Sequence, residues 1–314
     1  MSVASSHELG TVRAKVPPRT RRQQNWFPFL LSAPALLALI GVLYPFFTAI
    51  YYSLTDYRLI RQIYNFIGFQ NYLQLLRDSA FLHALGNTLL LAGVALIIEL
   101  PLGFGIALLL SRPARGIGIL RSLLLLPLML PPVITGFMWK AMLAPDSGLV
   151  NMLLSPFGLK NIAWLSEPLL AWLSILFIEV WVSTPFVALI LLSGIQALPK
   201  EPFEAADVDG APFGFIFRKL MLPMLKPFII LVLMFRIVDV LKLFDVIFAT
   251  TGGGPLQATE TLSISVYKEV FQYYNLGYAI AKIMVLFVIN YVASFFLASR
   301  WRKASTFDTG VAAR

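Results

Sequence analysis

Long apolar runs recur along this chain, each able to cross about 30 Å of hydrocarbon as a helix of roughly 20 residues. They cover about 28–52, 84–110, 119–143, 168–194, 224–248 and 278–300. The runs are continuous rather than alternating, so they predict helices, which satisfy their own backbone polar groups in lipid, and not barrel strands. Hydrophobic residues make up 58% of the chain and charged residues 13%, a balance that excludes a soluble domain of this size. The expectation is an all-α, polytopic membrane protein with six transmembrane helices over 26–303, between a basic, disordered tail at 1–25 and a polar tail at 304–314. The first run is too long for a cleaved signal peptide, and no small-residue cleavage site precedes Tyr51-Tyr52.

Charge sets the orientation. Six crossings put both termini on one side, with Arg13, Arg19, Arg21, Arg22, Arg112, Arg115, Arg121, Lys200, Arg218 and Lys219 among its basic residues. That side holds sixteen Lys and Arg, against six on the other (Arg58, Arg61, Arg77, Lys140, Lys160 and Lys268). The asymmetry predicts cytoplasmic termini and a cytoplasmic 195–223 segment in a bacterial inner membrane. Because the basic residues cluster at helix ends, the net charge of +9 reads as topogenic and not as a nucleic-acid surface. There is no cysteine, no phosphate-binding loop and no zinc motif, and the two histidines, His7 and His83, lie in a tail and near a membrane edge. No catalysis, metal or cofactor is expected on this chain.

Pro34, Pro45, Pro101, Pro127, Pro131, Pro132 and Pro185 lie inside the runs, where they predict kinks. Kinks with Gly103 and Gly105 suit helices that rearrange around a path, though membrane helices also tolerate such residues. No internal repeat is visible, which disfavours a secondary transporter built of two related halves. The loop 53–83 mixes polar residues with Tyr57, Tyr64, Phe66, Phe69 and Tyr72, as a segment at the membrane surface would.

The segment 199–223, between the fourth and fifth runs, is a charged island. Pro199 stops the fourth run, and Pro202 suits a first helical turn. Phe203 to Val208 reads as a short helix with acids facing its positive dipole end, and Gly210 ends it. Phe213 to Leu220 reads as a second, amphipathic helix on the membrane surface. Such an elbow is either a handle for a cytoplasmic partner or a plain connector, and the residues alone leave both open.

The spacing Glu204-Ala205-Ala206, Gly210, Leu220, Leu222-Pro223 resembles the coupling-loop signature of permeases in binding-protein-dependent ABC importers, with Leu220 where that family usually has Ile. Thr251-Gly252-Gly253-Gly254-Pro255, Thr259-Glu260-Thr261-Leu262 and Ile67-Gly68-Phe69-Gln70-Asn71-Tyr72 resemble the carbohydrate-import, maltose-transporter-type branch. The resemblance implies a non-catalytic half of a translocation path for a sugar, polyol or glycoside. It implies that Glu204, Ala205, Ala206, Asp207, Asp209, Gly210, Leu222 and Pro223 couple to a dimeric cytoplasmic ATPase, which would bind ATP and Mg. The other implied partners are a second, non-identical permease subunit, an extracytoplasmic solute-binding protein and membrane lipids.

Charges at membrane depth cost about 2.5–3.5 kcal/mol each and so face a cavity or one another. Arg236, Asp239, Lys242 and Asp245 recur every third residue, as a self-neutralising ladder or as a polar lining. Glu179, Trp181, Ser183 and Phe186 offer the carboxylate, hydroxyl and rings that a sugar needs. The resemblance places solute contacts at Val182, Ser183, Phe186, Arg236, Asp239 and Val240, and the charged pair among them leaves room for an acidic glycoside. Glu99 and Lys282 read as pairing partners between helices, and Asn290 as a weaker path residue. A stand-alone channel or ion-coupled transporter, with Asp239 and Lys242 as its ion site, is the alternative.

Overall fold

The computed structural model describes the backbone of residues 27–61 and 63–311, and the side chains of 32–61 and 63–304. The tail expected at 1–25 lies outside the described residues. The chain forms two compact units, 1–48 and 49–314. In the first, helix α1 (Phe27–Ser53) exposes every side chain from Pro34 to Pro45, an all-round apolar surface suited to lipid or to another chain.

The second unit is helical throughout its core. A short helix α2 (Gln70–Leu75) precedes α3 (Ser79–Ser111). Asp78 caps α3: its Oδ1 accepts from the amides of Ala80 and Phe81, and its Oδ2 from the Tyr278 hydroxyl. Partial burial pushes the Asp78 carboxyl up, but these donors outweigh it and hold the group below the usual carboxylate range. Helices α4 (Ile117–Met129), α5 (Pro132–Met142) and α6 (Leu149–Leu154) come next, then the long α7 (Pro168–Gln196). Beyond it lie α8 (Glu201–Val208), α9 (Phe213–Ile216), the single turn α10 (Leu222–Met224), α11 (Lys226–Leu241), α12 (Asp245–Thr250), α13 (Leu262–Phe271) and α14 (Leu276–Val311). Helix α14 thus runs on into the segment expected as a polar tail.

Four described helical stretches are long and apolar enough to cross a membrane: Ser32–Ser53, Ser79–Ser111, Pro168–Gln196 and Leu276–Ala304. Two of the six expected runs differ from single helices. The run 119–143 bends by 95° between α4 and α5. Pro131 and Pro132 cause the bend: each pushes its predecessor out of helical geometry, so Leu130 and Pro131 are extended (ψ 133° at both), and Pro132 restarts the helix at a position that needs no N–H. The run 224–248 is broken at Lys242–Phe244, leaving α11 with 16 residues and α12 with 6.

Helix α3 packs along α7, α11 lies against α14, α3 and α7, and α5 is paired with α12. The α3–α7 contact depends on Gly103, whose absent side chain admits Val187. A Cβ built there would lie 2.5 Å from Val187 Cγ1. Gly105, on a different face of the same helix, meets open space. Gly103→Ala should therefore lower the thermal unfolding midpoint of the purified protein, through an overpacking cost of about 1–3 kcal/mol. Gly105→Ala should leave the midpoint unchanged or raise it, since Ala is the better helix former. Equal midpoints for the two variants would contradict the packing described.

Candidate functional site

Two features stand out where α7, α8 and α11 meet the rest of the chain. The first is the elbow. Glu201 and Glu204 lie in the first turn of α8, with Pro202 at its start. Its end is fixed by backbone alone. Gly210 is left-handed (φ 69°), its N–H donates to the Asp207 carbonyl at 3.1 Å, and the Ala211 N–H reaches back to the Ala206 carbonyl at 2.9 Å. This pair of bonds is a Schellman stop, which favours glycine at that position. Ala206 is the one buried residue of α8; Glu204, Ala205, Asp207, Asp209 and Gly210 are exposed, as are Leu222 and Pro223. Val208 is 88% exposed among those acids, and Phe213 and Phe215 are exposed beyond Gly210. These three apolar side chains complete the surface, and the hydrophobic spacing of the segment was their only sequence signal.

The expected surface helix Phe213–Leu220 is not a separate element. One α-turn passes into a π-turn, Phe217–Met221, and then through α10 toward α11. Pro223 and Pro227 lack the N–H that a regular ladder needs here, which loosens the helix along this stretch.

The second feature is a buried ion triad. Arg236 on α11 donates through Nε to Glu99 Oε2 (2.8 Å) and through Nη2 to Glu99 Oε1 (3.0 Å). The same Nη2 donates to Glu179 Oε1 on α7 (2.6 Å), which also accepts from the Ser183 hydroxyl (3.1 Å). Glu99 belongs to α3, and all three charged groups are buried. One guanidinium therefore ties three helices together, with forked geometry toward Glu99.

Of the two readings of 236–245, the continuous ladder does not form. Arg236 turns away from Asp239 toward other helices. Helix α11 ends at Leu241, so Asp245 starts a new helix, off any common stripe. Asp239 and Lys242 do pair, at 3.8 Å, with side chains 58% and 55% exposed. Lys242 also lines a cavity of about 380 Å³ between α11 and α14, with Val238, Asn290 and Tyr291; Asn290 Oδ1 is buried there without a partner. Phe186 meets Phe235 edge to face at 6.0 Å, Val182 is half-buried, and Val240 is buried in the core. Among the expected path residues, Glu179, Ser183 and Arg236 thus share one cluster, Asp239 and Lys242 form a second, and Val240 joins neither. Lys282 pairs with Glu269 at 2.8 Å, a contact between α13 and α14.

The chain thus carries an exposed elbow between long apolar helices that bury a charged triad. It belongs to the family of binding-protein-dependent transport system inner membrane components, which matches residues 99–299. A probable ABC transporter permease of Sinorhizobium fredii is 39% identical over 286 residues, covering 88% of this chain and 91% of the relative. The trehalose/maltose permease of Thermococcus litoralis is 36% identical, covering 76% and 81%. The sulfoquinovosyl glycerol permease of Agrobacterium fabrum is 35% identical, covering 83% and 85%. The fold is shared with a bacterial importer of the acidic polysaccharide alginate, with a TM-score of 0.77, 23% identity, and coverage of 88% of this chain and 96% of the other.

Removing one partner of a buried ion cluster leaves uncompensated charge and costs about 3–5 kcal/mol. Arg236→Ala should therefore lower the unfolding midpoint sharply, whereas Glu99→Gln, which keeps an acceptor for the guanidinium, should lower it less. Equal, small effects in thermal melts of the detergent-purified protein would remove the triad from the framework.

Proposed function

We propose that this chain forms half of the translocation path of an ATP-driven importer for a sugar or glycoside, and that α8 is where a cytoplasmic ATPase takes hold of it. The observation that carries this reading is α8 itself. It is a short, acidic helix with a backbone-fixed end, mostly exposed, and joined on both sides to helices that meet at Arg236. Glu204, Asp207 and Asp209 offer carboxylates to basic groups, Ala205 permits close approach, and Val208 supplies an apolar anchor. A push on α8 reaches α7 and α11 together, because the triad binds both to α3. Coupling of this kind is reciprocal in binding free energy, so a loaded external solute receptor and ATP favour the same state of the assembly.

The full assembly in this reading has a second permease subunit, a dimeric ATPase that binds ATP and Mg, and an extracytoplasmic solute-binding protein. Both termini and α8 face the cytoplasm, as the sixteen-to-six distribution of basic residues favours. The chain crosses six times, with α4–α5 and α11–α12 as broken crossings. The sugar class is supported by relatives whose names specify trehalose/maltose, sulfoquinovosyl glycerol and diacetylchitobiose. On this chain Asp239, Lys242 and Phe186 offer the solute its polar and stacking contacts. Glu179, Ser183 and Arg236 act behind them, with Val182 shaping the wall and Val240 packed in the core behind it.

Glu204→Ala and Gly210→Pro should each cut receptor-stimulated ATPase activity and transport in the reconstituted importer by about tenfold or more, a coupling loss of ~1.4 kcal/mol. Proline cannot adopt the positive φ of residue 210, and it removes the N–H bonded to Asp207. If both variants keep ATPase association and transport, α8 is a connector. Asp239→Ala and Lys242→Ala should alter solute transport while moving the unfolding midpoint little, since an exposed pair contributes about 0.2–1 kcal/mol. Unchanged uptake in both would take the pair out of the path.

A further inference from the structure

The hairpin 55–66, which neither coupling nor translocation uses, carries a second surface. Its base is rigid. Thr55 pairs with Phe66, the Asp56 N–H donates to the Asn65 carbonyl, and the Asp56 carboxylate accepts the Asn65 amide, which holds that carboxyl below its usual range. Tyr52, Tyr57 and Tyr64 pack ring against ring at 4.9–5.5 Å. The hairpin is also tied to the entry of α14. The Leu59 N–H donates to the Tyr274 carbonyl (2.9 Å), Arg58 pairs with Asn275, and the Gly277 N–H donates to the Tyr57 carbonyl (2.9 Å).

On this framed base the tip exposes two large aliphatic side chains, Ile60 (74%) and Ile63 (80%), beside the exposed Arg58 and Arg61. Each isoleucine left in water forgoes about 1.5–3 kcal/mol of burial. Leu59 is bonded to Tyr274, two residues ahead of Leu276, so the hairpin lies beside the start of a helix long and apolar enough to cross a membrane, the end that would meet the membrane surface. Tyr273 and Tyr274, exposed in the same strip, belong to the residue type that collects at that level.

We propose that the tip of this hairpin is a membrane-surface anchor that selects anionic phospholipid: Ile60 and Ile63 enter the glycerol zone of the leaflet, and Arg58 and Arg61 bind lipid phosphates. An apolar tip flanked by cations is the combination that binds anionic leaflets. The one acid of the hairpin, Asp56, is engaged by Asn65 at its base. An acidic face of a partner protein would satisfy the arginines equally well, but the bonds that hold the hairpin at the start of α14 favour lipid.

The chain has no cysteine, so Ile63→Cys provides a unique attachment point for an environment-sensitive dye. The full importer, with cysteines of the co-assembled chains replaced, is studied in nanodiscs of phosphatidylcholine with and without phosphatidylglycerol. The expected result is blue-shifted emission, quenched by brominated lipid, with phosphatidylglycerol enriched around the label. Arg58→Glu and Arg61→Glu should each reduce that enrichment about fivefold, the equivalent of ~1 kcal/mol per cation. A dye that reports water in both discs overturns the proposal, as does equal quenching in both. So does a dye shielded only when the solute receptor is added, which would make the tip a protein contact. Ile60→Cys repeats the measurement should position 63 disturb the hairpin.

Discussion

Three helices meet at one guanidinium. In a medium where a lone charge cannot be tolerated, Arg236 requires Glu99 and Glu179, and this requirement fixes how far α3, α7 and α11 can slide or rotate relative to one another. The small residue at Gly103 serves the same end by other means, letting α3 approach α7 until Val187 fills the gap. Charge pairing and close packing together make the helices behind α8 a joined framework. A short surface helix can act as a handle only if the helices behind it move with it.

The polar groups of this chain divide by exposure more than by residue type. Arg236 and Glu179 are consumed by the protein itself, and their cost of burial is met by each other. Asp239 and Lys242, one turn further on, are held apart at 3.8 Å and left open. Groups that are already paired set geometry; groups that are loosely paired stay open to other partners. The break at Lys242–Phe244 falls at the open pair, beyond the buried cluster.

Much of this was legible in the sequence. The apolar runs gave α7 nearly to its ends and the bodies of α3 and α14, because a long uninterrupted run leaves the backbone no alternative in lipid. The elbow was legible because its signals are local: Pro202 starts it, acids fill its first turn, and Gly210 stops it. Pro131-Pro132 marked the bend in 119–143, although not its 95° angle. The break at 242–244 has neither glycine nor proline to announce it. The partners of Arg236 lie 137 and 57 residues away, beyond the reach of periodicity, which can pair its charge only with neighbours on its own run. Local rules read helices well and helix pairing poorly, because pairing depends on which faces meet.

The backbone stop at Gly210 has one more consequence. The shape of α8 is set by two bonds within its own chain, so it stands ready before any partner is present. Ordering a flexible segment on contact would cost about 1–2 kcal/mol for each residue fixed. A handle that is already folded avoids that toll on every engagement. In the coupling role proposed for α8, grip and release would then differ only by the contacts made.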